Sequence, residues 1–391
     1  MDRLAAQFQK FRNFHLLYFA MLLLAFHFYF FYFVNSNFLS QYFSETSLAI
    51  LYALGGLFDL FLILNISSIL RSFTNYKLML ILLVLEAICL IGLAEFTSPW
   101  IIAILFITCQ AINPVLIFNI DVFLENYSED SVTGDIRGMF LLASNIPPVI
   151  CPFIAGLILA TPGYWKVYAI GAAFLIPLFY VISAYFKDFK DPEYVDIDIR
   201  GTWNEIRANN NIRNIFVSDF LLNFFYTWMA IYIPIYLYKY VGFTWPEIGI
   251  ILSIMLLPFI FFQLPLGHLA DKKYGEKEIL IIGFVIMGAT TMLIPFIQGA
   301  SLILWAAILF ATRIGASFVE VAAEVYFFKK VNVRDTNLIG IFRTIRTLPY
   351  VIAPIIAVIC LTFLNFKYLF LILGVLMLCG LKYALPIEDT K

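Results

Sequence analysis

Seven ionisable side chains lie inside long apolar stretches of this sequence, where a charge is costly and commonly marks the route of a solute or a proton. They are Asp59, Glu86, Asp121, Asp219, Arg313, Glu320 and Glu324. Six carboxylates beside one arginine cannot all remain ionised in a medium of low dielectric constant, so some of them must be protonated at neutral pH. This set of residues therefore favours proton coupling.

One stretch carries three of these residues on a single helix face. Arg313, Ser317, Glu320 and Glu324 are spaced by 4, 3 and 4 residues. At 1.5 Å per residue, Arg313 lies about 20 Å from the end of its stretch, near the middle of a bilayer. Glu320 is deeper than Glu324 and is predicted to be the proton-coupling carboxylate, with Arg313 as its modulator. The alternative is a static Arg313–Glu320 pair that holds helices together.

Other polar groups in the apolar stretches have competing interpretations. Asp121 and Glu324 lie near the ends of their stretches, where anchoring at the membrane surface is the better explanation. Glu86 fits a carboxyl group held neutral by a neighbour as well as it fits a transport role, and His15 and His27 fit packing better than proton relay. The predicted proton and substrate pathway comprises Asp59, Glu86, Gln110, Asn113, Asp219, Asn223, Arg313, Glu320 and Glu324.

The composition shows that the elements carrying these side chains must be membrane spans. The chain has 391 residues, of which 62% are hydrophobic and 13% charged, against about 45–50% and 25% in soluble proteins. A soluble globular enzyme is therefore excluded. The net charge of −1 gives no support for a nucleic-acid partner. The five cysteines lie in apolar runs without C-x-x-C spacing, which predicts no disulfide, metal site or cofactor.

Apolar segments of about 20 residues predict twelve spans. They are 14–34, 46–69, 77–94, 99–123, 138–160, 165–186, 212–238, 245–269, 279–297, 301–328, 344–364 and 367–385. Of the 25 Lys and Arg residues, only Lys166, Lys239 and Lys367 fall on the side opposite the others, and Arg313 lies within a span. The excess of positive charge on one side predicts that both termini are cytoplasmic, in a multi-pass protein of the plasma (inner) membrane.

The sequence also contains an internal repeat at an offset of about 200 residues. The clearest match pairs Pro147-x-Val149-Ile150-x-Pro152 in span 5 with Pro349-x-Val351-Ile352-x-Pro354 in span 11. Six spans per copy predict an all-α fold of two six-helix halves related by a pseudo-twofold axis along the membrane normal. The predicted units are residues 1–186, a linker at 187–212 and residues 213–391. In the linker, Thr202-Trp203-Asn204-Glu205 predicts a capping box that opens a short interfacial helix.

The loop between spans 8 and 9 carries the most specific motif. It reads Gly267-His268-Leu269-Ala270-Asp271-Lys272-Lys273-Tyr274-Gly275-Glu276-Lys277. This resembles the G-x-L-A-D-[RK]-x-G-[RK]-[RK] signature of the major facilitator superfamily, with one extra residue before Gly275 and with Glu276 where a base is usual. The corresponding stretch of the first half, residues 65–77, has neither the Gly nor the Asp.

The resemblance implies a twelve-helix fold, a central cavity and alternating access. It further implies a cytoplasmic gate made of Gly267, Asp271, Lys272, Lys273, Gly275 and Arg137, in which Asp271 meets the start of span 5. Spans 1 and 7 commonly border the cavity in this superfamily, so their Tyr and Trp residues suggest a partly apolar substrate. Cys151-Pro152-x-x-Ala155-Gly156 resembles the superfamily's antiporter motif, and close helix packing is its alternative explanation.

Taken with the buried charges, these features predict a monomeric secondary transporter of a small organic solute. Its predicted partners are the solute, protons and the lipid bilayer, and efflux of amphiphilic compounds is one possible direction. The alternatives are a uniporter or importer of a metabolite such as a sugar or nucleoside, and a transporter-like receptor without flux. Because the sequence contains no HExxH, GxSxG or P-loop motif, the chain is not predicted to be an enzyme.

Overall fold

Helices are the expected structure of these spans, because a single segment in hydrocarbon must satisfy its own backbone hydrogen bonds. The computed structural model describes residues 2–127, 133–196, 198–272, 275–331 and 336–389, and side chains from 14–125, 143–196, 198–262, 265–266, 275–331 and 337–389. Over these ranges the secondary structure is helical and contains no strand.

The helices of the first half and the linker are α1 (Asp2–Tyr32), α2 (Asn35–Leu39), α3 (Glu45–Leu64), α4 (Ile66–Phe73), α5 (Asn75–Glu95), α6 (Pro99–Tyr127), α7 (Thr133–Ile158), α8 (Trp165–Tyr185) and α9 (Ile199–Ala208). Those of the second half are α10 (Asn210–Ile235), α11 (Trp245–Lys272), α12 (Glu276–Leu293), α13 (Leu302–Lys330), α14 (Thr336–Thr344), α15 (Leu348–Phe363), α16 (Tyr368–Cys379) and α17 (Leu381–Ala384). A π-helical turn, Tyr236–Val241, continues α10, and a 3₁₀ turn, Ile294–Phe296, follows α12.

Ten spans in the described part of the chain are long and apolar enough to cross a membrane, and the shorter apolar helices at Ala143–Ile158 and Tyr368–Ala384 complete twelve. They occupy the twelve predicted positions. The second predicted span, 46–69, is too long, because α3 ends at Leu64. There the Asn65 side chain donates to the Phe61 carbonyl oxygen (2.8 Å), and the chain then turns into α4.

The two halves repeat one packing arrangement. Helix α1 packs on α6, α7 and α8, as α10 packs on α13, α15 and α16. Likewise, α3 packs on α6 in the first half, and α11 packs on α13 in the second. Helix α5 packs on α6 and α8, and its counterpart α12 packs on α13 and α16. Between the halves, α3 packs on α15 and α7 on α11, and the pseudo-twofold axis exchanges these two contacts. The fold is therefore the predicted pair of six-helix halves.

Small residues bring the two halves into close contact. A Cβ on Gly249 of α11 would lie 2.6 Å from the Pro152 carbonyl oxygen, and one on Gly156 of α7 would lie 3.0 Å from the Gly249 Cα. On the other side of the axis, a Cβ on Gly56 of α3 would lie 2.9 Å from the Tyr350 carbonyl carbon in α15. The Cys151–Gly156 motif thus makes the close helix contact that was its alternative explanation.

An aspartate after the last span of each half caps the third span of that half. The Asn75 amide at the start of α5 donates to Asp191 Oδ1 (2.7 Å), and the Lys277 amide at the start of α12 donates to Asp389 Oδ1 (3.0 Å). Tyr194 also donates to Asp191 Oδ1, and burial together with this carboxylate raises the pKa of Tyr194 above its usual value. Carboxylates at helix N-termini satisfy free amides and oppose the helix dipole.

The linker helix α9 begins earlier than its predicted capping box. Asp198 is the N-cap, since its Oδ1 accepts from the Gly201 amide (2.9 Å). The predicted cap, Thr202, lies in the first turn instead, and its hydroxyl donates to the Asp198 carbonyl oxygen (2.6 Å). The prediction was wrong because two residues able to cap stand one helical turn apart, and the earlier one opens the helix. Ile206 is buried on this helix, whereas Trp203 is exposed.

Candidate functional site

The second half contains a partly buried acidic cluster around Arg346. The guanidinium Nη2 of Arg346 donates to Asp219 Oδ1 (3.1 Å) and to Glu324 Oε1 (2.9 Å), and Nε donates to Asp219 Oδ2 (3.2 Å). Asp219 is 1% exposed, so its charge depends on this contact. Asn223, one turn further along α10, donates to Asp219 Oδ2 (3.2 Å) and to the Asp219 carbonyl oxygen (2.8 Å).

The sequence pattern missed Arg346 as a site residue. It counted Arg346 with the basic residues of one membrane face, although the predicted span 344–364 contains it, and treated Arg313 as the one arginine within the spans. The structure places Arg346 in the turn between α14 and α15, inside the apolar segment Asn337–Phe363. The available signal was the position of Arg346 three residues before Pro349, in the span that repeats the proline pattern of span 5.

A tyrosine separates Arg313 from Glu320. The Tyr226 hydroxyl donates to Glu320 Oε2 (2.9 Å), while the Arg313 guanidinium carbon lies 5.3 Å from the centroid of the Tyr226 ring and 4.9 Å from that of Phe225. No salt bridge joins Arg313 to Glu320 among the described side chains, so the static pair considered as an alternative is not present. Arg313 is 2% exposed, and its Nε and Nη1 have no hydrogen-bond partner within the described part of the protein.

Tyrosines from both halves meet beside these groups. The hydroxyls of Tyr32 in α1 and Tyr350 in α15 form a hydrogen bond of 2.8 Å across the two halves. Tyr32 lies within electrostatic range of Arg313, and Tyr29 within electrostatic range of Glu320. Helices α1, α10, α13 and α15 therefore place a phenolic lining, a guanidinium and a carboxylate where the halves meet.

Glu86 belongs to a separate cluster inside the first half. Its Oε1 accepts from the Cys109 thiol (2.8 Å) and from the Asn113 side-chain amide (2.9 Å), and it lies 3.3 Å from His27 Nε2. His27 Nδ1 lies 3.0 Å from the Gly171 carbonyl oxygen, which only accepts, so Nδ1 carries a hydrogen. His27 is fully buried and faces the Glu86 carboxyl group, so packing alone does not describe this residue. These neighbours hold the Glu86 side chain in place, and its role in transport stays a prediction.

The remaining predicted pathway residues lie on α3 and α6. Asp59 is 2% exposed, and its Oδ1 has no hydrogen-bond partner in the described residues. Gln110 packs against α3, because a Cβ on Gly55 would lie 2.6 Å from the Gln110 Cγ. The structure does not join these two residues to the acidic cluster of the second half.

Most of the predicted gate motif falls outside the described side chains. Gly267, Asp271 and Lys272 belong to the last turns of α11 and Arg137 to the first turns of α7, but only their backbone is described, and Lys273 lies outside the described residues. Gly275 lies against Asp389. Glu276, the departure from the motif, is 1% exposed and accepts from Lys329 Nζ (2.7 Å). The contact predicted for Asp271 therefore remains a prediction.

Polar contacts join the halves at both ends of the bundle. At one end, the Tyr240 hydroxyl in the π-helical turn donates to Glu45 Oε1 at the start of α3 (2.8 Å). At the other, Arg343 of α14 donates to Glu125 Oε1 of α6 (3.3 Å) and lies 4.0 Å from Asp121 Oδ2. We call the second end, where Arg71, Lys329 and Lys330 also lie, the basic end. Within the described ranges, no group of three His, Cys, Asp or Glu side chains is placed to hold a metal ion.

A membrane bundle of two equivalent six-helix halves, with buried charges and tyrosines where they meet, is the architecture of a secondary transporter. The sequence matches the profile of the Major Facilitator Superfamily over residues 17–246 and 215–391. The chain belongs to the Major Facilitator Superfamily.

Solved transporter structures share this fold over nearly the whole chain. The nucleoside transporter NupG has a TM-score of 0.74 at 13% identity, covering 97% of this chain and 100% of its own. A POT family transporter in complex with 5-aminolevulinic acid has a TM-score of 0.77 at 12% identity, covering 96% of this chain and 95% of its own. A mutant of the peptide transporter POT in complex with sulfate has a TM-score of 0.76 at 12% identity, covering 96% of this chain and 94% of its own. No curated protein matches the sequence.

Proposed function

We propose that the protein is a proton-coupled secondary transporter that moves a small organic solute by alternating access. The observation that carries this proposal is the contact between Tyr226 and Glu320, beside a buried guanidinium and at the meeting of the two halves. A solute bound there touches both halves and so is exposed to one side or the other when they rock.

Glu320 is the best candidate for the coupling carboxylate. It is half-buried on α13 and accepts a hydrogen bond from a neutral phenol, whereas the nearby Asp219 and Glu324 are both bound to Arg346. The charge of Glu320 is thus balanced only at a distance, by Arg346 and Arg313. Rocking of α1 against α13 changes its exposure to water, and a state-dependent proton affinity is what coupling requires.

The polar contacts at the two ends of the bundle fit alternating gates. Opening the basic end would break Arg343–Glu125, and opening the other end would break Tyr240–Glu45. The close contacts of α7 with α11 and of α3 with α15 lie between these two ends. The two halves can therefore rotate about these contacts. We infer that the loop motif, with Asp271 and Arg137, forms a further gate contact at the basic end.

We also infer that the basic end and both termini face the cytoplasm of a cell whose plasma membrane holds the protein as a monomer. The organisation into 1–186, 187–212 and 213–391 belongs to the same proposal. Labelling of single cysteines introduced at Arg71 and Gly299, which lie at opposite ends of the bundle, with a membrane-impermeant maleimide tests the orientation: only the second should react in intact cells.

The similar structures do not select one substrate. Their descriptions name a nucleoside transporter, a complex with 5-aminolevulinic acid and a peptide transporter, which are chemically different. Export of amphiphilic compounds rests on the Cys151–Gly156 motif, whose contact with Gly249 serves helix packing whatever the direction of flux. A uniporter and a receptor without flux are therefore outcomes of the experiment below.

The test is flux of candidate solutes in proteoliposomes with and without a pH gradient. Glu320→Gln should abolish acceleration by the gradient while keeping solute binding, because the amide cannot exchange a proton. Glu205→Gln, an exposed carboxylate on α9, is the matched control and should respond as the unmodified protein does. A normal response of Glu320→Gln would move the coupling to Asp219, Asp59 or Glu86. Flux that never responds to pH indicates a uniporter, and binding without flux indicates a receptor.

A further inference from the structure

The guanidinium of Arg313 is buried without a counter-ion in contact. Its Nε and Nη1 have no hydrogen-bond partner in the described part of the protein, and the side chain is 2% exposed. The faces of Phe225 and Tyr226 attract the cation but do not satisfy its N–H donors as an oxygen does. A buried donor without an acceptor is costly, so Arg313 favours an acceptor that the described side chains do not supply.

The surroundings of Arg313 indicate what this acceptor is. A carboxylate matches the donors of a guanidinium in charge and in geometry. Glu320 lies on the same face of α13, two turns or about 10 Å along the helix. Its charge repels a dianion more than a monoanion, so a solute with one negative charge is favoured. Tyr32 and Tyr350 add ring surface and hydroxyl groups from both halves.

We propose that Arg313 binds the carboxylate of a monoanionic organic solute and that this binding drives proton uptake by Glu320. The proposal rests on the proposed transport function, because it names the substrate class of that same site. The bound carboxylate enters the space left between α1, α10, α13 and α15 when the halves separate, since Arg313 is closed off in the present arrangement.

Charge balance links the two events. Without solute, Arg313 and Arg346 both favour the ionised form of Glu320 through space. Once a carboxylate neutralises Arg313, the ionised form loses one of these two cations, and Glu320 takes up a proton. By linkage, protonation of Glu320 must then strengthen solute binding by the same factor. One proton per monoanion makes the transported complex electrically neutral.

Several other ionisable groups interact electrostatically with Glu320 and contribute to its proton affinity. They are Tyr29 from α1, Asp219 and Tyr226 from α10, Arg313 and Glu324 from α13, and Arg346 before α15. Two further helices pack against α13. Glu276 of α12 forms an ion pair with Lys329 at the basic end, and Glu247 of α11 accepts from the Thr244 amide at the opposite end of the bundle. Arg346, which Asp219 and Glu324 share, also acts on Glu320, so loss of the Arg313 charge removes one of the two cations that favour its ionised form.

The test is calorimetric binding by the purified protein in detergent, which requires no flux. The probes are matched pairs, benzoate with benzamide and 3-phenylpropanoate with 3-phenylpropanamide, together with phenyl phosphate. Each acid should bind at least about tenfold more tightly than its amide, the size of one charge-assisted hydrogen bond. Arg313→Gln should abolish this preference, and Arg313→Lys should keep part of it, since lysine retains the charge but not the planar donors. Arg207→Gln, on exposed α9, is the matched control.

Proton uptake is measured by repeating the titrations in buffers of different ionisation enthalpy. The unmodified protein should take up about one proton per acid bound, and Glu320→Gln should take up none while still preferring the acid. Equal binding of acids and amides, or no binding of either acid, overturns the anion site. Tighter binding of phenyl phosphate than of benzoate overturns the assignment of the ligand as a carboxylate. Undiminished proton uptake by Glu320→Gln overturns the link between solute binding and Glu320. Binding that depends on Arg313 without any flux would refute transport alone, whereas flux unaffected by Arg313→Gln would refute this inference alone.

Discussion

Removing the arginine from the acidic cluster of the second half should destabilise the protein in a pH-dependent way. Arg346→Gln leaves Asp219, which is 1% exposed, with an uncompensated charge. Breaking a buried ion pair by removing one partner costs about 3–5 kcal/mol. Because the Arg346 side chain is 33% exposed and partly screened by water, we expect a loss of about 2–3 kcal/mol in the free energy of unfolding near pH 8.

The sign of the pH dependence follows from the same charge. Protonation of Asp219 at lower pH removes the uncompensated charge, so the destabilisation by Arg346→Gln should shrink toward pH 5 and grow as the pH rises. The double variant Asp219→Asn, Arg346→Gln removes both charges together. It should recover stability to within about 1 kcal/mol of the unmodified protein, because a buried pair stabilises little relative to neutral groups of similar volume.

The assay is denaturant unfolding in detergent, followed with a thiol-reactive dye. Cys89, Cys109 and Cys151 are buried and free, so they become reactive when the bundle opens. Arg71→Gln is the control, because its partner Asp196 is 69% exposed and the pair should contribute less than about 1 kcal/mol. The reasoning is refuted if the double variant loses as much stability as the two single variants added together, or if the effect of Arg346→Gln does not change with pH.

Three further predictions concern the gate motif, the contact between the halves and the helix cap. Asp271→Asn should impair transport in proteoliposomes while leaving expression intact, and normal flux would remove the motif from the gate. Gly249→Ala should lower the free energy of unfolding by about 1–3 kcal/mol, because its Cβ would overlap the Pro152 carbonyl oxygen; an unchanged unfolding midpoint would contradict the close approach of α7 and α11. Asp389→Ala should cost about 1 kcal/mol in the same assay and Asp389→Asn much less, since asparagine also caps helices; equal losses would show that capping is not the cause.

The number of spans and their grouping could be predicted from the sequence. Hydrocarbon requires about 20 apolar residues for each crossing and makes each crossing helical, so these features depend on local composition alone. Helix ends were predicted less well, at Asn65 and at Asp198, because neighbouring polar side chains compete for the same backbone groups. The family was also recognisable, because its motif is a short continuous string at residues 267–277.

Which charged groups meet could not be predicted, because periodicity gives the face of a helix but not the neighbour that the face touches. Arg346 reaches Asp219 across 127 residues, and His27 contacts Gly171 across 144. Tyr226 lies between Arg313 and Glu320, although the spacing within α13 suggested that those two were partners. Each of these contacts depends on the rotation and depth at which separate helices pack. Those are set by side-chain fit over the whole bundle, and only the tertiary structure decides them.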